Sequence, residues 1–360
     1  MNRHQDRLDK GWALAAQDHE EDMALIREMG ANAIRLAHYQ HAQRFYDLCD
    51  QFGMVVWAEV PVVNATQAGP FADNAKQQLV ELIRQNGNHP SIVTWSLSNE
   101  LQYDKSVANT LLPLMTDMNT LAHAEDPSRP TTLATFYDQN DPVTAKTDLV
   151  AFNRYDGWYV NTIAAFAPGI DGMHAAKPAM KMGLSEYGAG SSIRFHSATP
   201  VVMDHSEEYQ NLFHEAYWQA LAARPFVWGS FVWNMFDFAA DARNEGDAPG
   251  RNDKGLVTYD RKTRKDAFFW FKANWTTDPF VYITSRRWTP RPAGSYDIKV
   301  YANAPTVTLS VNGTALPAKT AANHIFLWTG VALKAGPNSL QASAIAAGGA
   351  VMDAVAVTGQ

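Results

Sequence analysis

Two textures divide the chain when its apolar and polar positions are read in order. Up to about residue 274, short apolar runs rich in β-branched residues alternate with segments whose apolar positions recur every three or four residues. The runs of strand length are Ala33–Ala37, Met54–Ala58, Ile92–Leu97, Thr131–Thr135, Leu149–Phe152, Met180–Ser185 and Phe226–Trp233. Between them lie helical patterns. Met23, Ile26 and Met29 mark one that opens on a capping-box-like pair, Asp18 and Glu21, and stops at Gly30. Phe45, Leu48 and Phe52 mark a second, ended by Gly53; others run through Leu79, Leu82 and Ile83, through Leu112, Met115, Met118 and Leu121, and from Glu207 to Ala222. Strand and helix in strict alternation imply a parallel sheet. From about Trp275 the helical period vanishes. Alternating runs at Tyr296–Tyr301, Val307–Val311, His324–Trp328, Leu340–Ala344 and Val351–Val357 take over, separated by turn signals at Asn312-Gly313, Ala335–Asn338 and Gly348-Gly349.

The first texture contains seven strand runs, whereas a closed β/α barrel needs eight. The polar opening Asn2–Arg7 reads as the loop that leaves a first strand truncated just before Met1. That makes the chain a fragment whose open barrel edge is covered by another copy or by missing amino-terminal domains, unless residues 1–8 act as the eighth strand. The expected fold is α/β: a (β/α)8 TIM barrel over residues 1–274, then a small immunoglobulin-like β-sandwich over 275–360. On this count strand four ends at Asn99 and Glu100, and strand seven at Glu186. A glutamate opening the next helix would be ordinary. Two of them at matching strand ends suggest a pair.

Charge and composition narrow the chemistry. A net charge of -7 with no long basic run argues against nucleic acid or an anionic membrane as partner. No apolar run approaches a membrane span, and no signal peptide is visible in the charged stretch Asn2–Lys10, so the compartment stays open. The single cysteine, Cys49, lies on an apolar helical face and reads as packing. His38 and His41, or His4 and His19, lack a third ligand at zinc spacing, no Gly-x-Ser-x-Gly elbow accompanies the serines, and no Gly-x-Gly-x-x-Gly run follows a strand. No metal and no cofactor are therefore expected. Three glycosylation triplets begin at Asn64, Asn274 and Asn312, the last better read as a hairpin turn. Eleven tryptophans add flat apolar faces of the kind that pack on sugar rings.

Paired carboxyl groups at a barrel mouth suit hydrolysis of a glycosidic bond, in which one protonates the leaving oxygen and the other attacks the anomeric carbon or activates water. Other strand ends supply partners: Arg35 and His38, Glu59, Asn153 and Tyr155, and Trp233. A cationic Arg35 or a phenolic Tyr155 beside one glutamate would keep it ionised, while the acid needs a raised pKa.

Five segments carry a resemblance: Asn32-Ala-Ile-Arg-Leu-Ala-His-Tyr39, Phe45-Tyr-Asp-Leu-Cys-Asp50, Asn88-His-Pro-Ser-Ile-Val-Thr-Trp-Ser-Leu-Ser-Asn-Glu100, Ser185-Glu-Tyr187 and Gly229-Ser-Phe-Val-Trp233. Together they are similar to the signature set of glycoside hydrolase family 2, which contains β-galactosidases and β-glucuronidases. The resemblance implies a retaining exo-glycosidase with Glu100 as acid/base, Glu186 as nucleophile and Asn99 as donor to the sugar 2-hydroxyl. It places His38, Tyr155 and Trp233 around the terminal sugar. Metal-dependent β-galactosidases have Glu-Thr-His where this chain has Glu59-Val-Pro, and a histidine where it has Ala189, so no magnesium is expected there. Asn252 and Lys254 resemble the Asn-x-Lys pair with which β-glucuronidases hold the sugar carboxylate, and a cation is a sound selector for it. The text from Trp233 to Glu245 looks more like a group of bacterial β-galactosidases. The expectation is therefore β-galactosidase, with β-glucuronidase, or a folded carbohydrate-binding fragment without turnover, as alternatives.

Overall fold

The computed structural model describes residues 1–103, 108–346 and 349–360. They form two compact units. The first comprises Met1–Leu25, Ala31–Gly188 and Ala216–Ala239. Its frame is an eight-stranded parallel sheet in chain order: β1 (Asn2–Arg3), β2 (Ala33–Leu36), β3 (Val55–Glu59), β4 (Ile92–Asn99), β5 (Thr131–Thr135), β6 (Val150–Asn153), β7 (Met182–Tyr187) and β8 (Ser230–Val232). Helices α1 (Ala16–Met29), α2 (Gln43–Phe52), α3 (Pro70–Asn86), α4 (Ala108–Glu125), α5 (Phe166–Ala176) and α6 (Glu207–Ala222) punctuate the strands. This is the β/α alternation expected of a TIM barrel.

Of the two expectations for the first strand, the structure has the one in which residues 1–8 supply it, as the two-residue β1. Two residues carry no readable alternation, so only pairing reveals it: Asn2 lies opposite Arg35 and Arg3 opposite Leu36. On its other side the Asn2 carbonyl accepts from the Met235 N–H at 3.1 Å. The Asn2 side-chain amide donates to the carbonyls of Ser185, Phe231 and Val232 at 2.8, 3.0 and 3.2 Å. One buried asparagine thus ties β1 to β7 and β8, across the edge expected to lie open.

Trp57, Ala134, Ala151 and Phe231, from β3, β5, β6 and β8, form a buried cluster. Residues two apart on a strand share a face, so Trp57 fills the interior one layer in from Glu59. Two smaller differences from expectation are local. Helix α1 starts at Ala16 rather than after Asp18; the Asp18 carboxylate reaches back to accept from the Ala15 N–H at 2.8 Å. The last barrel strand shrinks from Phe226–Trp233 to Ser230–Val232.

The second unit comprises Ile26–Gly30, Ala189–Glu215 and Ala240–Gln360. The short strand β9 (Phe238–Ala239) ends the last segment of the first unit, and β10 (Arg251–Asn252) and α7 (Asp266–Trp275) belong to the second. Eight antiparallel strands follow: β11 (Val281–Ile283), β12 (Gly294–Ala302), β13 (Thr306–Val311), β14 (Thr314–Ala315), β15 (Lys319–Thr320), β16 (Ile325–Leu333), β17 (Gly336–Ala346) and β18 (Gly349–Gly359). β11, β12 and β16 make one sheet and the other five a second. Ile298, Val300, Leu309, Phe326, Trp328, Leu340 and Val357 pack between them in one buried cluster. Strand β17 shows why: Asn338, Leu340, Ala342 and Ala344 are buried while Pro337, Ser339 and Gln341 are exposed. Asn312 and Gly313 take φ of 52° and 80° between β13 and β14, the hairpin turn that an Asn-Gly pair favours. Ala335–Asn338 is less of a break than expected, since β17 already begins at Gly336. Gly348, half of the last expected turn, lies outside the described residues.

Candidate active site

Barrel register brings the carboxyl ends of β2, β3, β4, β6 and β7 into one hydrogen-bonded network within the first unit. Arg35 is its centre and is wholly buried. Its Nε and Nη2 fork onto Glu59 Oε2 and Oε1, each at 2.9 Å. Nη1 donates to Glu186 Oε1 at 2.8 Å and to Asn2 Oδ1 at 3.1 Å, and Nη2 also to Asn99 Oδ1 at 2.8 Å. Such a buried guanidinium is tolerable only because carboxylates surround it. Burial opposes its charge, but Glu59 and Glu186 more than offset that and raise its pKa.

Glu186 accepts a second charge-assisted bond from Tyr155 Oη, 2.8 Å from Oε2. Burial, with Glu186 and Glu100 adding to it, pushes the Tyr155 hydroxyl well above its usual range, so it stays a donor. Glu100 sits one residue past β4 with φ 52°, its N–H bonded to the Ala134 carbonyl at 2.9 Å. Asn153 Nδ2 donates to Glu100 Oε1 at 2.7 Å and to Asn99 Oδ1 at 3.2 Å. Ser185 Oγ fixes Asn153 from behind at 2.6 Å. Burial first, then the charge of Glu186, raises the Glu100 pKa; Asn153, His38 and Arg35 offset part of this. Two chemically identical side chains are therefore held in opposed environments: one faces donors and a cation, the other is desolvated beside a like charge.

His38 lies 2.7 Å from Glu59 through Nδ1, and its ring stacks on Trp233 at 5.1 Å and 21°. His4 closes this side, edge-on to both rings at 5.5 and 5.3 Å and stacked on Phe238 at 4.2 Å. Arg35, His38, Asn99, Glu100, Asn153, Tyr155, Glu186 and Trp233 are thus brought together as neighbours. Asn252 and Lys254 belong to the second unit, where Asn252 Oδ1 accepts from the Lys254 N–H at 3.2 Å and Lys254 Nζ meets Glu245 Oε1 at 3.3 Å. Asn2, Ser96 and Ser185 were not foreseen. Ser185 has a signal in its place directly before Glu186; Asn2 and Ser96 have none. Burial pushes the Cys49 thiol up to about 12, in keeping with a packing role. Among the described residues no group of three or more His, Cys, Asp or Glu is arranged to hold a metal ion, and no helix is long and apolar enough to cross a membrane.

A parallel β/α barrel that presents two carboxyl groups at its strand ends, one of them desolvated, has the design of a carbohydrate-active protein. Residues 1–277 match the family model described as glycosyl hydrolases family 2, TIM barrel domain, and the chain belongs to that family. It is 45% identical over 355 residues to a β-glucuronidase of Bacteroides fragilis, covering 94% of this chain and 50% of that protein. The FMN-binding β-glucuronidase of Facaelibacterium prausnitzii L2-6 superimposes with a TM-score of 0.94 at 43% identity, over 100% of this chain and 55% of that one. A provisionally assigned β-galactosidase of Bacteroides fragilis gives a TM-score of 0.95 at 35% identity, over 100% and 54%. The chain spans about half the length of these relatives.

Proposed function

We propose that the protein is a retaining exo-β-glycosidase acting on terminal β-glucuronides, with residues 1–274 as catalytic barrel and 275–360 as an appended sandwich. Glu186 attacks the anomeric carbon while Glu100 gives its proton to the leaving oxygen. Glu100, now a carboxylate, then takes a proton from the water that cleaves the glycosyl ester, releasing Glu186. The observation that carries this reading is the opposed settings of the two glutamates. Arg35 and Tyr155 hold the nucleophile, and burial keeps the acid's proton in place until the leaving oxygen takes it. The Asn99 oxygen is engaged by Arg35 and Asn153, so its amide nitrogen is the group left to donate to the sugar 2-hydroxyl.

The galactoside preference expected from the Trp233–Glu245 text gives way to glucuronide. The relatives named above support this, and Asn252 and Lys254 are assigned the carboxylate on the strength of their sequence resemblance. Galactoside cleavage remains the second reading because of the B. fragilis structure assigned that way. Paired nitrophenyl β-glucuronide and β-galactoside assays decide between them, with Glu186→Gln as control. Glucuronide turnover abolished by that change is expected, with Lys254→Ala narrowing the preference. A galactoside hydrolysed as well as the glucuronide would refute the choice.

A further inference from the structure

Glu59 contacts neither reacting glutamate, yet it organises two groups that do face Glu186. It is wholly buried. Its two oxygens together meet Arg35 Nε and Nη2, His38 Nδ1 and Ser96 Oγ, at 2.9, 2.9, 2.7 and 2.8 Å. Burial would raise its pKa, but Arg35 and then His38 outweigh that and lower it, so the group is a carboxylate.

Two consequences follow from its charge and shape. A carboxylate accepts only, so the 2.7 Å contact requires the proton of His38 on Nδ1. Arg35 Nη2, 3.3 Å from that same Nδ1, is itself a donor and cannot share it. With the proton so placed, His38 Nε2, 3.9 Å from Glu186 Oε1, is the ring nitrogen available to accept. Second, the fork onto Glu59 occupies two of the guanidinium's donors, leaving Nη1 for Glu186. The single positive charge is divided between two carboxylates. A nucleophile bound to an undivided guanidinium would be held too firmly as an anion to attack well.

We infer that Glu59 is a positioning residue that sets the His38 tautomer and divides the Arg35 charge, so that Glu186 is aligned without being quenched. This rests on the catalytic reading of Glu186. The groups facing Glu186 are Arg35 and His38 from the β2 end, Glu100 from β4 and Tyr155 from β6, with Glu59 behind the first two.

The test uses Glu59→Gln and Glu59→Asp in the full chain, with folding checked by thermal melting. In Glu59→Gln the amide offers one acceptor to the fork. Its glucuronide kcat/KM is expected to fall about 10- to 150-fold, the value of one hydrogen bond to a charged group. The acidic limb of its pH profile should move to lower pH, because Glu186 then faces the whole charge. Glu59→Asp, which keeps the charge, should leave the limb where it is. Nitrogen-15 shifts of the His38 ring give a readout independent of turnover: a protonated Nδ1 in the wild type, changed in Glu59→Gln and kept in Glu59→Asp. An unmoved limb and an unchanged ring in a folded Glu59→Gln would overturn the role of Glu59 alone. Full activity in Glu186→Gln would overturn the catalytic reading, while the His38 spectrum still decides the tautomer.

Discussion

Replacing Tyr155 by Phe removes one oxygen and leaves the ring, which packs against Tyr159 at 5.2 Å. The oxygen makes a 2.8 Å O–H···O bond to the Glu186 carboxylate in a buried setting. Bonds of this kind to a charged group contribute about 1.5–3 kcal/mol, which corresponds to about 10- to 150-fold in rate. The two chemical steps should not share that loss equally. In the proposed mechanism Glu186 is anionic before attack and again as it leaves the glycosyl ester, but neutral within the ester. Losing the donor raises the energy of the free carboxylate, which partly offsets poorer alignment during attack. The same loss falls in full on ester breakdown, where the carboxylate is the leaving group. Stopped-flow hydrolysis of a nitrophenyl glucuronide by Tyr155→Phe should show a burst of nitrophenol near one equivalent, followed by a kcat lowered about 10- to 150-fold. kcat/KM should fall less. A kcat within twofold of wild type, or equal losses in kcat and kcat/KM with no burst, would refute the reasoning.

Four further outcomes are expected. Glu100→Gln should slow glycosides with poor leaving groups by about 10²- to 10⁴-fold, and nitrophenyl glycosides less, since these need little protonation; equal losses on both would deny Glu100 the role of acid. The same variant should melt higher than wild type at neutral pH. A carboxyl whose folded pKa is raised lends its stability below the unfolded value and loses it as pH rises through the folded one, so the gain should vanish below about pH 4. His19, which accepts from the buried Arg3 at 3.1 Å, is depressed to about 4 by burial and then by Arg3. A depressed histidine stabilises the fold above its unfolded value of 6.5 and loses that as pH falls toward 4, so urea midpoints should drop over this window and drop less in His19→Asn. In the sandwich, Leu340→Ala should cost about 2–5 kcal/mol by chemical denaturation, because Leu340 lies in the buried cluster.

What could be read in advance divides along a physical line. The Ile92–Leu97 run followed by Asn99 and Glu100 was legible because a strand buried on both faces must be apolar throughout, so a polar end stands out. Sandwich strands were legible by period, and their ends were less so: β16 reaches Leu333, five residues beyond the expected Trp328. Asn2–Arg3 could be reached only as an alternative, by counting strands, since two residues have no period. Glu59 was visible only as one more polar strand end. Its partners come from positions 35, 38 and 96, and nothing but barrel register, with Glu59 opposite Ser96, makes them neighbours. The proposed substrate was the least legible element, because galactosides and glucuronides differ only at C6 and in the orientation of the C4 hydroxyl, and the residues assigned to the carboxylate sit outside any periodic pattern.

The site itself depends on places where that periodicity fails. In a regular strand Asn99 and Glu100 would point to opposite faces. Here Asn99 Oδ1 and Glu100 Oε1 both accept from Asn153 Nδ2. Two departures allow it: the β4–β5 register shifts between Ser96 and Asn99, and Glu100 turns into the left-handed region at φ 52°. Register also shifts between Phe152 and Asn153 on β6 and between Leu184 and Tyr187 on β7, the stretches that deliver Asn153, Ser185 and Glu186. Bulges at the rim of a barrel re-aim side chains that the pleat would otherwise send apart. The left-handed turn at Glu100 costs about 1–3 kcal/mol for a residue with a side chain, and it is retained where the proposed acid stands beside Asn153. Removing the carboxyl while keeping the backbone, as in Glu100→Gln, leaves that cost in place. Glu100→Gly should relieve it as well and stabilise the fold further; a glycine variant less stable than the glutamine one would show that Asn153, and not the turn, governs the energy of this corner.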